Sequence, residues 1–345
     1  MRVILTGMRT TGRLHLGHMV GALDNWLDLQ NSGQYNCYFL LADVQALTTH
    51  FDRVEGIEDS VRQVVIDWLS VGLDPARSSF VLQSAIMEYP ELTVYLSMLV
   101  SMGVLQRNPT LKDEIKTLGM ADVNVGFMMY PVSQAADILL LSPIPGGHDD
   151  ELLVPVGEDQ IPHIELTRDI GRLFNNQYGE TFVLPRVKVG DVPRLADLGG
   201  EGKKMGKSAG NAVFLSDPPN VVEEKIKRGF TDPLKARRND PGRPEICPIF
   251  SYQKIFNADQ KDEIAEGCRS GALGCVDCKQ RLARSLNAKL DPIRERRVTF
   301  EQNPAAVATA IIEGTATARK VGEETMTRVR DVMHLNYRQL LLQQE

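Results

Sequence analysis

The chain has 345 residues, 39 Lys+Arg against 45 Asp+Glu and a formal net charge of −6, with 43% hydrophobic residues. That length allows roughly two domains of about 150 residues each, and the ordinary composition excludes collagen-like and disordered classes. No apolar run approaches the roughly 20 residues that span a bilayer, and Met1–Thr6 lead straight into a core strand, so a cytoplasmic protein without signal peptide or membrane partner is expected.

Val3–Thr6 read as a buried strand, followed by a glycine-punctuated loop from Gly7 to Gly17. His18–Gln30 form a helix, with Val20, Leu23 and Leu27 at helical spacing. Tyr38–Ala42 are a strand and Asp59–Val71 a helix, with Val61, Val64, Val65, Trp68 and Leu69 on one face. Phe80–Gln83 are a strand, Glu91–Val104 and Ser133–Leu141 helices, Leu152–Val156 a strand and Ile161–Phe174 a helix. This alternation predicts an α/β fold with a Rossmann-like parallel sheet covered on both faces. Ligands of such sheets bind outside the carboxyl ends of the strands. After about residue 190 the chain turns polar and mostly helical. We divide it into a catalytic domain, 1–215, and a helical domain, 216–345, whose last helix has room to pack back on the first. Asn303-Pro304 is a helix start, with Asn as cap and Pro in the first turn. Val307, Ile311, Gly314, Ala318, Val321 and Thr325 then follow one face.

Two motifs carry chemistry. Thr10-Thr11-Gly12-Arg13-Leu14-His15-Leu16-Gly17-His18 joins a strand to a helix. Such a junction offers free backbone N–H groups and the positive end of a helix dipole to an anion. Gly17 lets a ligand approach the backbone, and His15 and His18 can donate to phosphate oxygens. Lys203-Lys204-Met205-Gly206-Lys207-Ser208 places lysines in a loop suited to covering a polyphosphate. Read singly, the first is also compatible with two surface histidines and the second with a solvated basic loop.

Read together, HLGH and KMGKS resemble the signature of class I aminoacyl-tRNA synthetases. Tyr130–Leu139, and Val154-Pro155-Val156-Gly157-Glu158-Asp159-Gln160 followed by the HIELTRD run His163–Asp169, are similar to bacterial tryptophan–tRNA ligases. The resemblance implies a class I synthetase fold that binds ATP with Mg²⁺, activates L-tryptophan and charges tRNA(Trp), as a homodimer. His15, His18, Lys204 and Lys207 would be catalytic. Arg9, Thr10, Thr11, Gly17 and His18 would line the ATP phosphates. Gly157, Glu158 and Asp159 would hold its ribose and adenine side, with Leu195 beside the nucleotide. Lys204, Met205, Gly206, Lys207 and Ser208 would close over the pyrophosphate. Leu5, Gly7, Val154 and Val156 would wall the indole, Asp137 would accept its N–H, and Tyr130, Gln134 and Gln160 would hold the amino group or the polar edge.

Asp137 can also be argued from its own neighbours. Indole has one donor and no acceptor. A site choosing it over a phenyl ring needs an acceptor at that N–H, and a buried acceptor left unpaired costs about 1–3 kcal/mol. Ala135, Ala136, Ile138, Leu139 and Leu140 make this stretch too apolar for a solvated carboxylate. Some positions depart from the pattern. Gly206 stands for the usual Ser of KMSKS, and Tyr130-x3-Gln134-x2-Asp137 also resembles tyrosine–tRNA ligases. Gln45 takes the place of a histidine. Residues 142–151 form an extra Pro- and Gly-rich loop. A tyrosine–tRNA ligase, an adenylyltransferase sharing only HxGH, and a non-enzymatic paralogue are the competing readings.

Four of the five cysteines, Cys247, Cys268, Cys275 and Cys278, fall at C-x20-C-x6-C-x2-C. Four thiolates suit zinc or an iron–sulfur cluster, and the spacing resembles that of the [4Fe–4S]-binding subset of tryptophan–tRNA ligases. Cys37, in an apolar run, reads as a core residue. Basic residues bracket the cysteines: Lys225, Lys227, Arg228, Lys235, Arg237, Arg238 and Arg243 before them, Arg281, Arg284, Arg294, Arg296 and Arg297 after. They suggest a surface for tRNA despite the acidic total.

Overall fold

The computed structural model describes residues 2–52, 54–147, 150–189, 195–200 and 210–337. The first strand, β1 (Arg2–Arg9), leads into a short helix, α1 (Leu16–His18), a π-turn (Met19–Leu23) and α2 (Asp24–Ser32). Then follow β2 (Asn36–Ala42), α3 (Asp43–His50), α4 (Ile57–Val71), β3 (Ser78–Leu82), α5 (Glu88–Ser97), α6 (Met102–Arg107), α7 (Pro109–Leu118) and α8 (Val125–Leu140). The sheet resumes with β4 (Glu151–Val156), α9 (Ile161–Tyr178) and β5 (Arg186–Val189). Helices complete the chain: α10 (Pro219–Arg228), α11 (Pro248–Phe256), α12 (Lys261–Ser270), α13 (Cys275–Glu301) and α14 (Pro304–Val332).

All strand pairs are parallel, in the order β3-β2-β1-β4-β5. The parallel Rossmann-like α/β sheet is thus as expected. Apolar side chains on both faces feed two cores, one under α2, α4 and α13, the other under α5, α8 and α9. Trp26 stacks on Phe39 at 4.9 Å, and Trp68 meets Phe80 edge-on at 5.3 Å, which locks α2 and α4 to the sheet. Cys37 is buried among them.

Two expectations change. Glu91–Val104 is not one helix: α5 stops after Ser97, and an extended Ser101 (φ −77°, ψ 149°) starts α6. Gly7 belongs to β1, not to a loop, because its pairing with Leu40 continues the ladder. The Asn303-Pro304 start is as read, with the Asn303 side chain accepting from Ala306 N at 3.1 Å.

The last helix returns to the sheet. Strand β3 is an edge, and edges need cover. Helix α14 lies along it with small residues inward: Gly314, Thr315, Ala318 and Gly322. Thr315 Oγ1 accepts the Leu82 N–H at 3.0 Å, pairing one edge donor. A Cβ on Gly314 would stand 2.3 Å from the Phe80 nitrogen and 2.5 Å from its oxygen. Gly314→Ala should therefore lower stability by about 1–3 kcal/mol from overpacking against backbone, despite the roughly 1 kcal/mol that alanine gains in a helix. Urea denaturation measures it; unchanged or higher stability would show that α14 can slide off β3.

Candidate active site

Strand order reverses between β1 and β4, and a cavity of about 300 Å³ opens there at their carboxyl ends. Leu5, Gly7, Val154 and Val156 form its walls, and Gln134, Asp137 and Gln160 enter from α8 and the turn after β4, which brings these sequence-read residues to one cavity. The glycine is required, since a Cβ at residue 7 would sit 2.4 Å from the Leu40 carbonyl oxygen. Ile138, Gln45, Arg9 and Glu114 also line the cavity. Of these only Arg9 was read as a site residue. Gln45 Nε2 is buried and has no hydrogen-bond partner among the described residues, leaving a donor for a ligand.

Asp137 is 7% exposed, set among the apolar residues of α8. Burial pushes its carboxyl well above the usual range, the Gln83 hydrogen bond opposes this, and the nearby Asp43 adds to it. Gln83 Nε2 donates to Asp137 Oδ2 at 2.8 Å, and Gln83 Oε1 accepts from Gln45 N at 3.1 Å. Sequence reasoning missed Gln83 as a partner because nothing local marks it.

Tyr130 stands behind this cavity in a relay. Its hydroxyl lies 2.7 Å from Glu114 Oε2 and 2.9 Å from His163 Nε2. Asn108 Nδ2 lies 3.4 Å from His163 Nδ1. An amide N–H can only donate, so Nδ1 accepts and Nε2 carries the ring proton. The chain runs Asn108 to His163 to Tyr130 to Glu114. Burial, partly offset by Glu114, lowers His163 to about 4, so the ring is neutral near pH 7. Arg9 closes the relay, 3.2 Å from Glu114 and 5.3 Å above the Tyr130 ring.

The HLGH segment caps its own helix. His15 Nδ1 accepts from Gly17 N and His18 Nδ1 from His15 N, both at 3.1 Å. Each ring proton is thereby directed to Nε2. The Thr10 hydroxyl is 2% exposed and has no partner among the described residues, an acceptor and donor suited to a phosphate. Thr11 turns back on Arg9 through a 3.0 Å backbone bond. Gly157 precedes a single 3₁₀ turn, Glu158–Gln160, at the end of β4. Thr110 Oγ1 donates to the Asp159 carbonyl at 2.9 Å. Leu195 is 5% exposed and packed in the core. Lys203, Lys204, Met205, Gly206, Lys207 and Ser208 lie outside the described residues. The chain after them docks on the HLGH segment. Leu16 N donates to Val213 O at 2.9 Å, and Leu215 N to Leu14 O at 3.0 Å.

In the second half the four cysteines are free thiols at helix ends. Cys247 caps α11, Cys268 lies in the last turn of α12, and Cys275 and Cys278 open α13. Cys278 lies within electrostatic reach of the other three, and burial pushes it up to about 11. Gln253 Nε2 donates to its sulfur at 3.4 Å. Among the described residues, however, no three His, Cys, Asp or Glu side chains converge closely enough to hold a metal ion. The expected metal site, whether for zinc or for an iron–sulfur cluster, is therefore not assembled among the described residues.

A larger cavity, about 1020 Å³, lies between α10 and α13. Lys227, Lys235, Arg237, Arg238 and Arg284 line it, against Glu223 and Asp277. Several bracketing cations are otherwise engaged. Lys225 pairs with Asp217 at 2.6 Å, Arg243 with Asp232 at 2.7 Å and Arg281 with Glu263 at 3.0 Å. Arg228 pairs with Glu224, Arg294 with Asp291 at 2.6 Å and Arg297 with Asp67, while Arg296 donates to the Ser70 carbonyl. The basic surface is narrower than composition suggested. No helix among the described residues is long and apolar enough to cross a membrane.

Comparison with known proteins agrees with this geometry. Residues 2–291 match the family of class I tRNA synthetases (W and Y). The chain is 43% identical to the tryptophan–tRNA ligase of Thermotoga maritima over 97% of its length and 99% of that protein. It is 42% identical to that of Treponema pallidum, with 98% of each chain covered. Tryptophanyl-tRNA synthetase from Campylobacter jejuni, solved with ADP and tryptophan, superposes with a TM-score of 0.82 at 31% identity, covering 97% of this chain and all of that one.

The neutral His163 has a consequence for stability. Unfolded histidine takes a proton near pH 6.5, whereas folded His163 resists until about pH 4. Its contribution is complete above about pH 6.5 and is lost as pH falls toward 4, by about 3 kcal/mol. Denaturation curves of wild type and His163→Asn should converge by that amount between pH 7 and 4. Parallel pH profiles would show that the ring titrates normally.

Proposed function

The chain belongs to the class I tRNA synthetases that serve tryptophan and tyrosine, and we propose from that premise how its residues divide the work. It is a tryptophan–tRNA ligase. The amino-acid carboxylate attacks the α-phosphorus of ATP, giving tryptophanyl-adenylate and pyrophosphate. The terminal ribose of tRNA(Trp) then takes the acyl group and AMP leaves. No protein nucleophile is needed, so catalysis consists of positioning and of stabilising phosphate charge.

The observation that carries this reading is Asp137, a carboxylate in an apolar-walled cavity. It would take the indole N–H, and hydrogen-bond recognition of this type rejects analogues lacking the donor strongly. Leu5, Gly7, Val154 and Val156 would wall the ring. Thr10, Gly17 and the Nε2 protons of His15 and His18 would face the triphosphate at the HLGH turn, with Gly157, Glu158 and Asp159 on the nucleoside side. Docking of residues 213–215 on Leu14–Leu16 supports Lys204, Lys207 and Ser208 as the groups that close over the pyrophosphate. Mg²⁺, when bound with ATP, neutralises phosphate charge.

The division at residue 215 is retained, with the basic cavity of the second half as the tRNA surface, and we place the reaction in the cytoplasm. The chain would work as a homodimer, and Met87, Val94, Met98 and Met102, in and beside α5 and α6, are exposed apolar side chains that a second copy could cover. The thiols of Cys247, Cys268, Cys275 and Cys278 are the ligand set for a [4Fe–4S] cluster. Support comes from four soft donors of one kind that lie within electrostatic reach of one another. Bound there, the cluster would brace α11, α12 and α13.

ATP–pyrophosphate exchange with each amino acid tests the activity. Tryptophan should support exchange, and Asp137→Ala should lower kcat/KM for it roughly 10- to 100-fold. Exchange with tyrosine instead would overturn the substrate assignment. Protein purified without air should be brown and absorb broadly near ~400 nm. A colourless, iron-free preparation that nevertheless charges tRNA at full rate would remove the cluster.

A further inference from the structure

Among the described residues, two carboxylates face the amino-acid cavity, Asp137 and Glu114, and one cation does, Arg9. An α-amino acid arrives as a zwitterion. Its ammonium loses water on entering, and neutral oxygens repay that loss poorly compared with an anion. Asp137 is engaged by Gln83 and reserved for the indole end. Glu114 is the remaining anion.

The two contacts of Glu114 differ in kind. The Tyr130 hydroxyl donates to Oε2 at 2.7 Å and is itself fixed by His163 and Asn108. That bond sets the position of the carboxylate. Arg9 Nη2 reaches Oε1 at 3.2 Å and Oε2 at 3.5 Å, and the side chains are 30% and 27% exposed. A long, partly solvated ion pair of this type is weak and exchangeable. Glu114 is also firmly mounted: α7 begins at Pro109 under an Asn108 cap, and Thr110 ties it to the turn after β4.

We propose that Glu114 is the anion that receives the α-ammonium of the amino-acid substrate, displacing Arg9, which then turns to the triphosphate of ATP. The inference rests on reading this cavity as the amino-acid pocket. One ion pair becomes two, ammonium with Glu114 and phosphate with Arg9, and charge balances at both. Each substrate removes the competitor of the other, so the two bind with positive cooperativity.

Calorimetry with three ligands tests it. L-Tryptophan and tryptamine carry the ammonium; indole-3-propionate lacks it. Glu114→Gln should weaken the first two roughly 10- to 100-fold and leave indole-3-propionate unchanged. Equal weakening of all three would mean that Glu114 only shapes the pocket, and unchanged tryptophan binding would also overturn the proposal. Arg9→Gln provides a second arm, independent of the first variant's folding. It should keep or tighten tryptophan binding while weakening ATP, and loss of tryptophan binding would overturn the exchange. If wild type binds tyrosine and no indole, only the substrate's identity fails. Tyrosine, tyramine and 3-(4-hydroxyphenyl)propionate then carry the same comparison.

Discussion

A buried carboxylate holds the two halves of the molecule to the HLGH turn. Asp67 of α4 is 0% exposed and Arg297 of α13 is 4% exposed. Arg297 donates to Asp67 Oδ1, and Leu14 N donates to Oδ2 at 2.8 Å. The guanidinium also reaches Gln63 and pairs with Glu301 at 2.9 Å. Three segments, α4, α13 and the HLGH turn, therefore meet at one ion pair. Desolvating such a pair costs several kcal/mol per ion, and stability alone would favour apolar replacements. What the pair supplies is position: Leu14 stands next to His15, so α13 sets where the HLGH turn lies. Removing either partner would strand the other, at about 3–5 kcal/mol.

From this tie the second half can be followed to the cysteines. Helix α13 runs from Cys275 to Glu301, so its first turn carries two thiols and its last turns carry the Arg297 contact. Near the start, Lys279 is almost fully buried and donates to the Lys227 and Gly229 carbonyls and to Thr231 Oγ1. A cation at the exposed carbonyls of α10 satisfies the C-terminal acceptors of that helix. The basic cavity is thus bounded by a helix whose far end is tied to the HLGH turn through Asp67. A ligand that reorients α13 at the cavity has a physical path to HLGH.

Local signals decided what the sequence made legible. The parallel sheet followed from apolar runs such as Tyr38–Ala42 alternating with amphipathic α4, and the start of α14 from Asn303-Pro304. Asn108-Pro109 is the same signal, closed by Gly119 at φ +62°, and it was there to be read. Leaving α7 unread also left Glu114 unread. Other partners had no local mark. Gln83 meets Asp137 across 54 residues and Asp67 meets Arg297 across 230, and only the fold sets such distances.

Read as the amino-acid pocket, the cavity between β1 and β4 works through its charge balance. Asp137 and Glu114 are acidic, Arg9 is basic, and His163 lies one bond behind Tyr130. Were that ring charged, a second cation would face Glu114 through the relay and compete with any ligand ammonium. Burial prevents this, since an imidazolium without water or a direct carboxylate partner is disfavoured. The neutral ring donates through Nε2 and fixes the tyrosine oxygen, so the hydroxyl proton can point only toward Glu114. The relay thus orients the carboxylate without neutralising it. That leaves Arg9 as the sole cation balancing Glu114 among the cavity's described residues, the one group that a triphosphate draws away.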